Sequence, residues 1–255
     1  MKKILVVLVT LILIGISSSA YAASRPINAN PIEGLGYKSA EDAVSAYLKA
    51  LSKADVETMI STFAVETFVE NFDLEALIER LTSYSPALMQ TLPSDNQFTF
   101  RLNIQRRQGD IARSIEWQYK AIFLRDIDFS APIYGDEIKS DEGRRNFVRK
   151  LGDSAYLESL RELKVVGFIT PNQLNDQYGS DRNQKNIAKQ ADMIGAQRIE
   201  NVVARVQINN RMYLFCFEAV SYEGRWYLYN LGGNIAALLG INAYSYGVAF
   251  ESDFR

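Results

Sequence analysis

The stretch from Ile199 to Leu231 constrains the fold most, because its pattern predicts three consecutive strands. Apolar and polar residues alternate at first, with the two-residue period of a half-buried strand. The central part, Met212 to Val220, is apolar on both faces, which is typical of a strand in the middle of a covered sheet. Asn209-Asn210 and Glu223-Gly224 supply the tight turns between the strands. The sequence therefore predicts an antiparallel meander that needs a second layer to cover it.

Helices in the N-terminal half can supply that layer. Ser39 and Asp55 are suitable residues for capping the starts of two helices. Three segments carry apolar residues at the spacing i, i+3, i+4, i+7 of an amphipathic helix: Val44, Tyr47, Leu48 and Leu51; Val56, Met59, Ile60 and Phe63; Leu74, Leu77, Ile78 and Leu81. The pattern predicts an α+β fold in which these helices pack on the antiparallel sheet.

The first 22 residues have the three parts of a signal peptide. Lys2-Lys3 is a charged start, Ile4 to Ile16 is an apolar run, and Ser17 to Ala22 ends in a small-residue cleavage pattern. A membrane-spanning helix needs about 20 apolar residues, so this run is short for an anchor. No cysteine stands directly after the cleavage point, so we expect no bacterial lipoprotein anchor. We expect a secreted or extracytoplasmic protein with no integral membrane anchor after cleavage.

The net charge, the single cysteine and the lack of histidine limit the functions that the protein can have. Removing residues 1–22 takes away Lys2 and Lys3 and changes the formal net charge from −2 to −4. A charge this mild and mixed predicts no nucleic-acid partner, since such a surface needs a clustered basic face. The single cysteine, Cys216, cannot form an internal disulfide. Because the chain has no histidine to activate it, we interpret Cys216 as a core residue rather than a nucleophile.

The domain organisation follows from changes in composition along the chain. Residues 23–36 contain two prolines and two glycines and are predicted to form a linker. Residues 37–240 are predicted to form a single α+β domain, with 86–171 as a long insertion. Residues 241–255 are interpreted as an aromatic tail, with Tyr244, Tyr246 and Phe250 available for a contact.

The middle of the chain fits more than one pattern. Phe98, Phe100, Leu102 and Ile104 alternate as in a strand, and Gln108-Gly109-Asp110 is a candidate turn. Residues 115–123 fit both a strand and a helix, and periodicity does not decide between them. Lys164 to Thr170 is a further strand candidate. Residues 172–185 are rich in Asn, Asp and Gln and predict a surface loop, followed by a short helix from Ile187 to Ile194.

The order of helices capped by Ser39 and Asp55, then much later a meander ending in Tyr222-Glu223-Gly224-Arg225-Trp226-Tyr227-Leu228, resembles the nuclear transport factor two-like superfamily. This is the cystatin-like, cone-shaped α+β fold also seen in ketosteroid isomerases. The resemblance covers Tyr37 to about Tyr84 and Ile199 to Gly233. It implies a bent antiparallel sheet that wraps around the helices, with a pocket between them. It also implies self-association as a homodimer through the sheet face.

The resemblance suggests which residues would form a site. Isomerase-like members use a buried carboxylate base with tyrosine donors, and dehydratase-like members use histidine, which this chain lacks. Glu218 is the candidate catalytic base because it interrupts an apolar strand, where a carboxylate is costly unless it is paired or protonated. The alternative is that Glu218 is exposed or pairs with Arg225 across the hairpin. The ligand-binding candidates are Tyr213, Tyr227 and Tyr229.

Metal and cofactor sites are not predicted. The acidic residues of the middle region do not follow the spacing of a calcium-binding loop: Asp126, Asp128, Asp136, Glu137, Asp141 and Glu142. No glycine-rich phosphate-binding loop or paired-cysteine motif is present.

The preferred interpretation is an exported, non-catalytic domain that binds a small apolar ligand or a protein partner. One alternative is a secreted isomerase- or hydrolase-like enzyme that uses a pocket carboxylate and a tyrosine. The other alternative is a structural or interaction protein of the cell envelope, with the aromatic tail as its contact.

Overall fold

The computed structural model describes residues 31–81, 96–123, 135, 139–152 and 155–254. The predicted signal peptide, residues 23–30 of the predicted linker, and the acidic residues Asp126, Asp128, Asp136 and Glu137 lie outside the described residues. Within the described ranges, no helix combines the length and the apolar character needed to cross a membrane.

The sheet has five antiparallel strands: β1 (Lys164–Ile169), β2 (Arg198–Ile208), β3 (Arg211–Tyr222), β4 (Arg225–Leu231) and β5 (Val248–Phe250). Strands β1 to β4 lie side by side in chain order, and β5 pairs with the first part of β3. Asn209 and Asn210 adopt positive φ angles of 48° and 61° in the β2–β3 turn, while Glu223 and Gly224 adopt 50° and 75° in the β3–β4 turn. The predicted meander and its two turns are confirmed.

Ten α-helices are described: α1 (Ala40–Leu51), α2 (Val56–Ser61), α3 (Glu66–Asn71), α4 (Leu74–Leu81), α5 (Gln97–Phe123), α6 (Asp141–Gly152), α7 (Ala155–Arg161), α8 (Pro171–Leu174), α9 (Asp181–Met193) and α10 (Gly233–Leu238). Short 3₁₀ turns occupy Asp176–Gly179, Ala243–Ser245 and Glu251–Phe254. The side chain of Ser39 accepts from the Asp42 backbone N–H, and that of Asp55 accepts from the Thr58 backbone N–H. Both predicted caps are therefore confirmed.

The N-terminal helices and the C-terminal meander share one core. Tyr47 of α1 is fully buried, and its ring packs edge-on against Phe63 at 5.8 Å and against Phe217 of β3 at 5.4 Å. The outer edge of β4 is also covered, because Tyr37 and Trp226 exchange two backbone hydrogen bonds and the Ala64 N–H donates to the Leu228 carbonyl. The molecule is an α+β fold with the helices packed on the sheet.

The strand predicted over Phe98 to Ile104 and the turn predicted at Gln108-Gly109-Asp110 are wrong, because α5 runs through both. Five apolar residues of α5 are buried at helical spacing: Phe100, Ile104, Ile111, Ile115 and Ile122. Phe98 and Leu102 remain 71% and 51% exposed, so alternate residues of this segment do not share a buried face. The helical pattern, not the alternating one, matches burial, and it places the middle of the chain in the core.

The surface loop predicted for residues 172–185 is also wrong, since it contains α8, a 3₁₀ turn and the start of α9. Helix α9 buries only Asn183, Ile187 and Ala191, so its mostly polar surface concealed the helical period. The strand predicted over Lys164 to Thr170 is confirmed as β1.

The aromatic tail contributes to the sheet. Tyr213, Leu214 and Phe215 of β3 pair with residues 248–250, and the Cys216 N–H donates to the Gly247 carbonyl. Sequence analysis gave no indication of this fifth strand.

Candidate functional site

Glu218 lies in the middle of the sheet and is 1% exposed. It stands opposite Asn201 of β2 and Asn230 of β4. Its Oε2 accepts hydrogen bonds from Gln190 Nε2 of α9 at 3.0 Å and from Asn230 Nδ2 at 3.3 Å. Glu218 is therefore neither exposed nor paired with Arg225, which stands opposite Tyr222 at the far end of the hairpin.

The environment of Glu218 favours its neutral form. Burial raises the pKa of the Glu218 carboxyl, while hydrogen bonds from Asn230 and Gln190 oppose this rise only in part. Among the described residues, Glu218 forms no ion pair with Lys or Arg. A carboxyl held by amides, without a cation, can be accommodated at this depth when it carries a proton.

The start of α10 closes over the Glu218 carboxyl. Gly233 adopts φ 65°, and a Cβ at this position would lie 2.8 Å from the Glu218 Cβ and 2.9 Å from Asn201 Oδ1. Only glycine permits this approach together with a positive φ. Asn201 Oδ1 accepts from the Ile235 N–H at 2.9 Å, which fixes α10 against the sheet.

A β-bulge places Tyr229 next to the Glu218–Asn230 pair in the sheet. The pairing of β3 with β4 passes from Ala219–Leu228 to Glu218–Asn230, which leaves Tyr229 as the extra residue. Burial raises the Tyr229 pKa, Arg107 lowers it, and the charge of Glu218 raises it. Burial, not Glu218, therefore has the largest effect on the Tyr229 pKa.

Arg107 of α5 binds the bulge from the helical side. Its Nη2 donates to the Tyr229 carbonyl and its Nε donates to the Ala64 carbonyl. The guanidinium carbon also lies 4.7 Å from the Phe68 ring centroid and 5.0 Å from that of Tyr229. These contacts satisfy a carbonyl that the bulge removes from the strand ladder, and they hold the aromatic rings in place.

The other two candidate tyrosines lie elsewhere. The Tyr213 ring packs 4.8 Å from the Phe250 ring on the face of β3 opposite to Glu218. The Tyr227 ring approaches Gly36 so closely that a Cβ there would lie 2.6 Å from its Cζ. The structure thus places Tyr213, Tyr227 and Tyr229 in three separate environments, and only Tyr229 adjoins the Asn230 that stands opposite Glu218.

The face of β3 that was expected to line a pocket is packed with side chains. Phe215, Phe217 and Tyr47 are fully buried there. The Tyr47 hydroxyl donates to Gln118 Oε1 at 2.7 Å, and Gln118 Nε2 donates to the Tyr246 carbonyl. Burial raises the pKa of Tyr47, so this hydroxyl is neutral and serves the core.

Cys216 is a free cysteine buried in the sheet. Burial raises the pKa of the Cys216 thiol to about 12, which leaves little of the nucleophilic thiolate at neutral pH. The described part of the chain contains no cluster of three or more His, Cys, Asp or Glu side chains that could hold a metal ion.

Open depressions on the described surface include two that neither Glu218 nor Tyr229 lines. The larger, of about 680 Å³, is a groove along α3 and α4 lined by residues 70–75, 78 and 79. The smaller, of about 490 Å³, is lined by Arg211, Met212, Phe250, Glu251 and Ser252. No sequence motif predicted either depression, although Phe250, which lines the smaller one, is among the tail residues predicted to be available for a contact.

The α+β fold has a counterpart among solved structures. The chain is similar in structure to a cystatin-like protein from Ruminococcus gnavus, with a TM-score of 0.50 and 17% sequence identity. The match covers 83% of this chain and 44% of the Ruminococcus chain, so this chain spans less than half of the protein it matches. At this identity the likeness shows the fold alone. No family model and no curated protein matches the sequence.

Proposed function

We propose that this protein is exported and acts by binding another protein, without catalysing a reaction. One observation carries the proposal: Glu218, the candidate base, is 1% exposed and enclosed by the sheet, by α10 and by the amide of Gln190. A catalytic base must reach the proton that it removes from a substrate. Neither surface depression is lined by Glu218.

The kind of ligand follows from the shape of the surface. A small apolar ligand is usually bound in a concave pocket that buries most of its surface. In this protein the face of β3 is filled by Tyr47, Phe215 and Phe217, and the two depressions are open to solvent. Open depressions support a protein partner better than a small apolar ligand.

Native mass spectrometry of the mature protein from its own culture medium tests this function. The proposal predicts a mass that begins after Ala22 and a non-covalent complex with a second polypeptide. A small organic molecule retained in stoichiometric amount would contradict the protein-partner proposal. A mass that includes residues 1–22 would contradict export with cleavage.

A second candidate function is an isomerase- or hydrolase-like enzyme with Glu218 as base and Tyr229 as acid. The raised pKa of Glu218 and its electrostatic effect on Tyr229 favour this candidate. Carboxyl footprinting with a carbodiimide and glycine ethyl ester separates the two functions. A base that touches substrate would be labelled in the folded protein, whereas the binding function predicts labelling of Glu218 only after unfolding, with exposed Glu162 labelled in both states.

A further inference from the structure

We propose that the groove along α3 and α4 binds a cationic, amphipathic segment of the partner protein. This inference deepens the proposed binding function and rests on it. The groove is lined by Glu70, Asn71, Phe72, Asp73, Leu74, Glu75, Ile78 and Glu79.

The floor of the groove is apolar because α4 is amphipathic and incompletely covered. Helix α4 packs against α9, yet none of its residues is fully buried. Leu74 is half-buried at the groove, and Ile78, one turn later, is 40% exposed. Together with the half-buried ring of Phe72, these side chains form an apolar strip that an incoming apolar face can cover.

All the charged residues that line the groove are acidic. Glu70, Asp73, Glu75 and Glu79 line it, and none of the residues that line it is basic. Asp73 is fixed, because its Oδ1 accepts from the Ala76 N–H and caps α4. Glu75 and Glu79 lie one helical turn apart on the same side of α4, and both are exposed. Since the whole chain has a formal net charge of only −2, this concentration is local and complements a cationic partner.

The shape of the groove selects a peptide segment over a small molecule. The residues of α4 that line the groove run from Leu74 to Glu79, about 8 Å along the helix axis, which matches one and a half turns of a bound helix. An open groove of this length can receive the apolar side of an amphipathic helix, with anchors at i, i+3 and i+4. Lysine or arginine residues beside those anchors would then lie against Glu75 and Glu79.

The test uses the mature protein and a designed probe, since the partner is unidentified. The probe is a fluorescent 14-residue peptide with leucine at i, i+3, i+4 and i+7 and lysine elsewhere. A second peptide has glutamate in place of every lysine. Fluorescence anisotropy measures the affinity of both peptides for the wild-type protein and for two double variants.

Glu75→Gln/Glu79→Gln removes two rim charges, and Glu57→Gln/Glu162→Gln removes two exposed charges elsewhere. Glu57 is a matched control because it lies in the first turn of α2, as Glu75 does in the first turn of α4.

The lysine peptide should bind, and added salt should weaken the binding. The rim variant should lose about five-fold in affinity, from two exposed charge pairs of about 0.5 kcal/mol each. Ile78→Ser should lose about ten-fold through the apolar floor, and circular dichroism should show that each variant is folded. The control variant should bind as the wild type does.

The proposal is overturned if the glutamate peptide binds as tightly as the lysine peptide, if the control variant loses as much as the rim variant, or if the lysine peptide does not bind at about 1 mM. A further result distinguishes failure of the groove as the binding site from failure of the proposed binding function. If the native complex with a second polypeptide persists in the rim variant and in Ile78→Ser, binding stands and the groove is not its site.

Discussion

At the scale of single residues, a buried carboxyl group is what distinguishes this sheet. Glu218 interrupts an apolar strand, and the structure surrounds it with the amides of Gln190 and Asn230 instead of a cation. The interruption was visible in the sequence. The amides were not, because Gln190 lies 28 residues away on α9 and carries no motif.

The raised pKa of Glu218 predicts a pH-dependent stability. A folded pKa above the ordinary value of 4.5 means that the folded state binds the proton more tightly than the unfolded state. This contribution is fully present below about pH 4.5 and is lost as the pH rises through the folded pKa. Glu218→Gln stays neutral, so its free energy of unfolding should rise relative to wild type between pH 4.5 and 8. Urea unfolding followed by tryptophan fluorescence measures this. If the free energy of unfolding changes with pH in the same way for the wild type and the variant, the raised pKa is contradicted. Glu162→Gln is the control at an exposed position.

Arg107 is predicted to stabilise the fold through the bulge at Tyr229. Arg107→Ala leaves the Tyr229 and Ala64 carbonyls without this donor and removes the contact with Phe68. We expect a loss of about 2–3 kcal/mol in the free energy of unfolding. Arg101→Ala on the exposed side of the same helix should change it by less than about 0.5 kcal/mol. Equal effects of the two substitutions would refute a special role for Arg107.

At the scale of elements, periodicity predicted α1, α2, α4 and the meander because their apolar residues recur at helical or strand spacing. It failed for α5, where Phe98 and Leu102 are apolar but exposed and imitate an alternating strand. For α9 it predicted only the second half, from Ile187 onward, because the first half of this helix is mostly polar. The bulge at Tyr229 and the pairing of β5 with β3 depend on contacts between distant parts of the chain, so local patterns could not reveal them.

Substitution of Gly109 tests the assignment of helix at residues 97–123. Gly109 lies inside α5, and a Cβ there would meet no atom within 4 Å. Gly109→Ala should therefore raise the free energy of unfolding by about 0.5–1 kcal/mol. If residues 108–110 formed a hairpin turn instead, the same substitution would destabilise the protein.

Gly195→Ala is the contrasting variant, and thermal unfolding measures the stability of both variants. Gly195 has φ 61°, and its added Cβ would lie 2.0 Å from the Asn71 carbonyl oxygen. We expect a loss of about 2 kcal/mol or more from positive φ and the steric clash. An unchanged melting temperature would contradict the packing of the α9 terminus against α3.

At the scale of the whole molecule, the N-terminal helices and the meander enclose the main packed core, and a smaller buried cluster lies where α10 covers the sheet. The accessible features lie on the surface. The sequence predicted this α+β arrangement, together with Glu218 and Tyr229 as residues of interest. It did not predict the groove, because the groove arises where α3 and α4 leave an apolar strip uncovered beside exposed carboxylates. This distribution of packed interior and open surface is what supports binding over catalysis.

The most direct test compares the mature wild-type protein with Glu218→Gln, both isolated from culture medium, by native mass spectrometry. If Glu218 is structural, both proteins should carry the same bound polypeptide in the same ratio, and no additional small molecule should appear in the variant. A base that has been removed leaves an enzyme able to bind its substrate but not to convert it. A small molecule that accumulates on Glu218→Gln and is absent from the wild type would therefore contradict a binding function and identify the substrate of an enzyme.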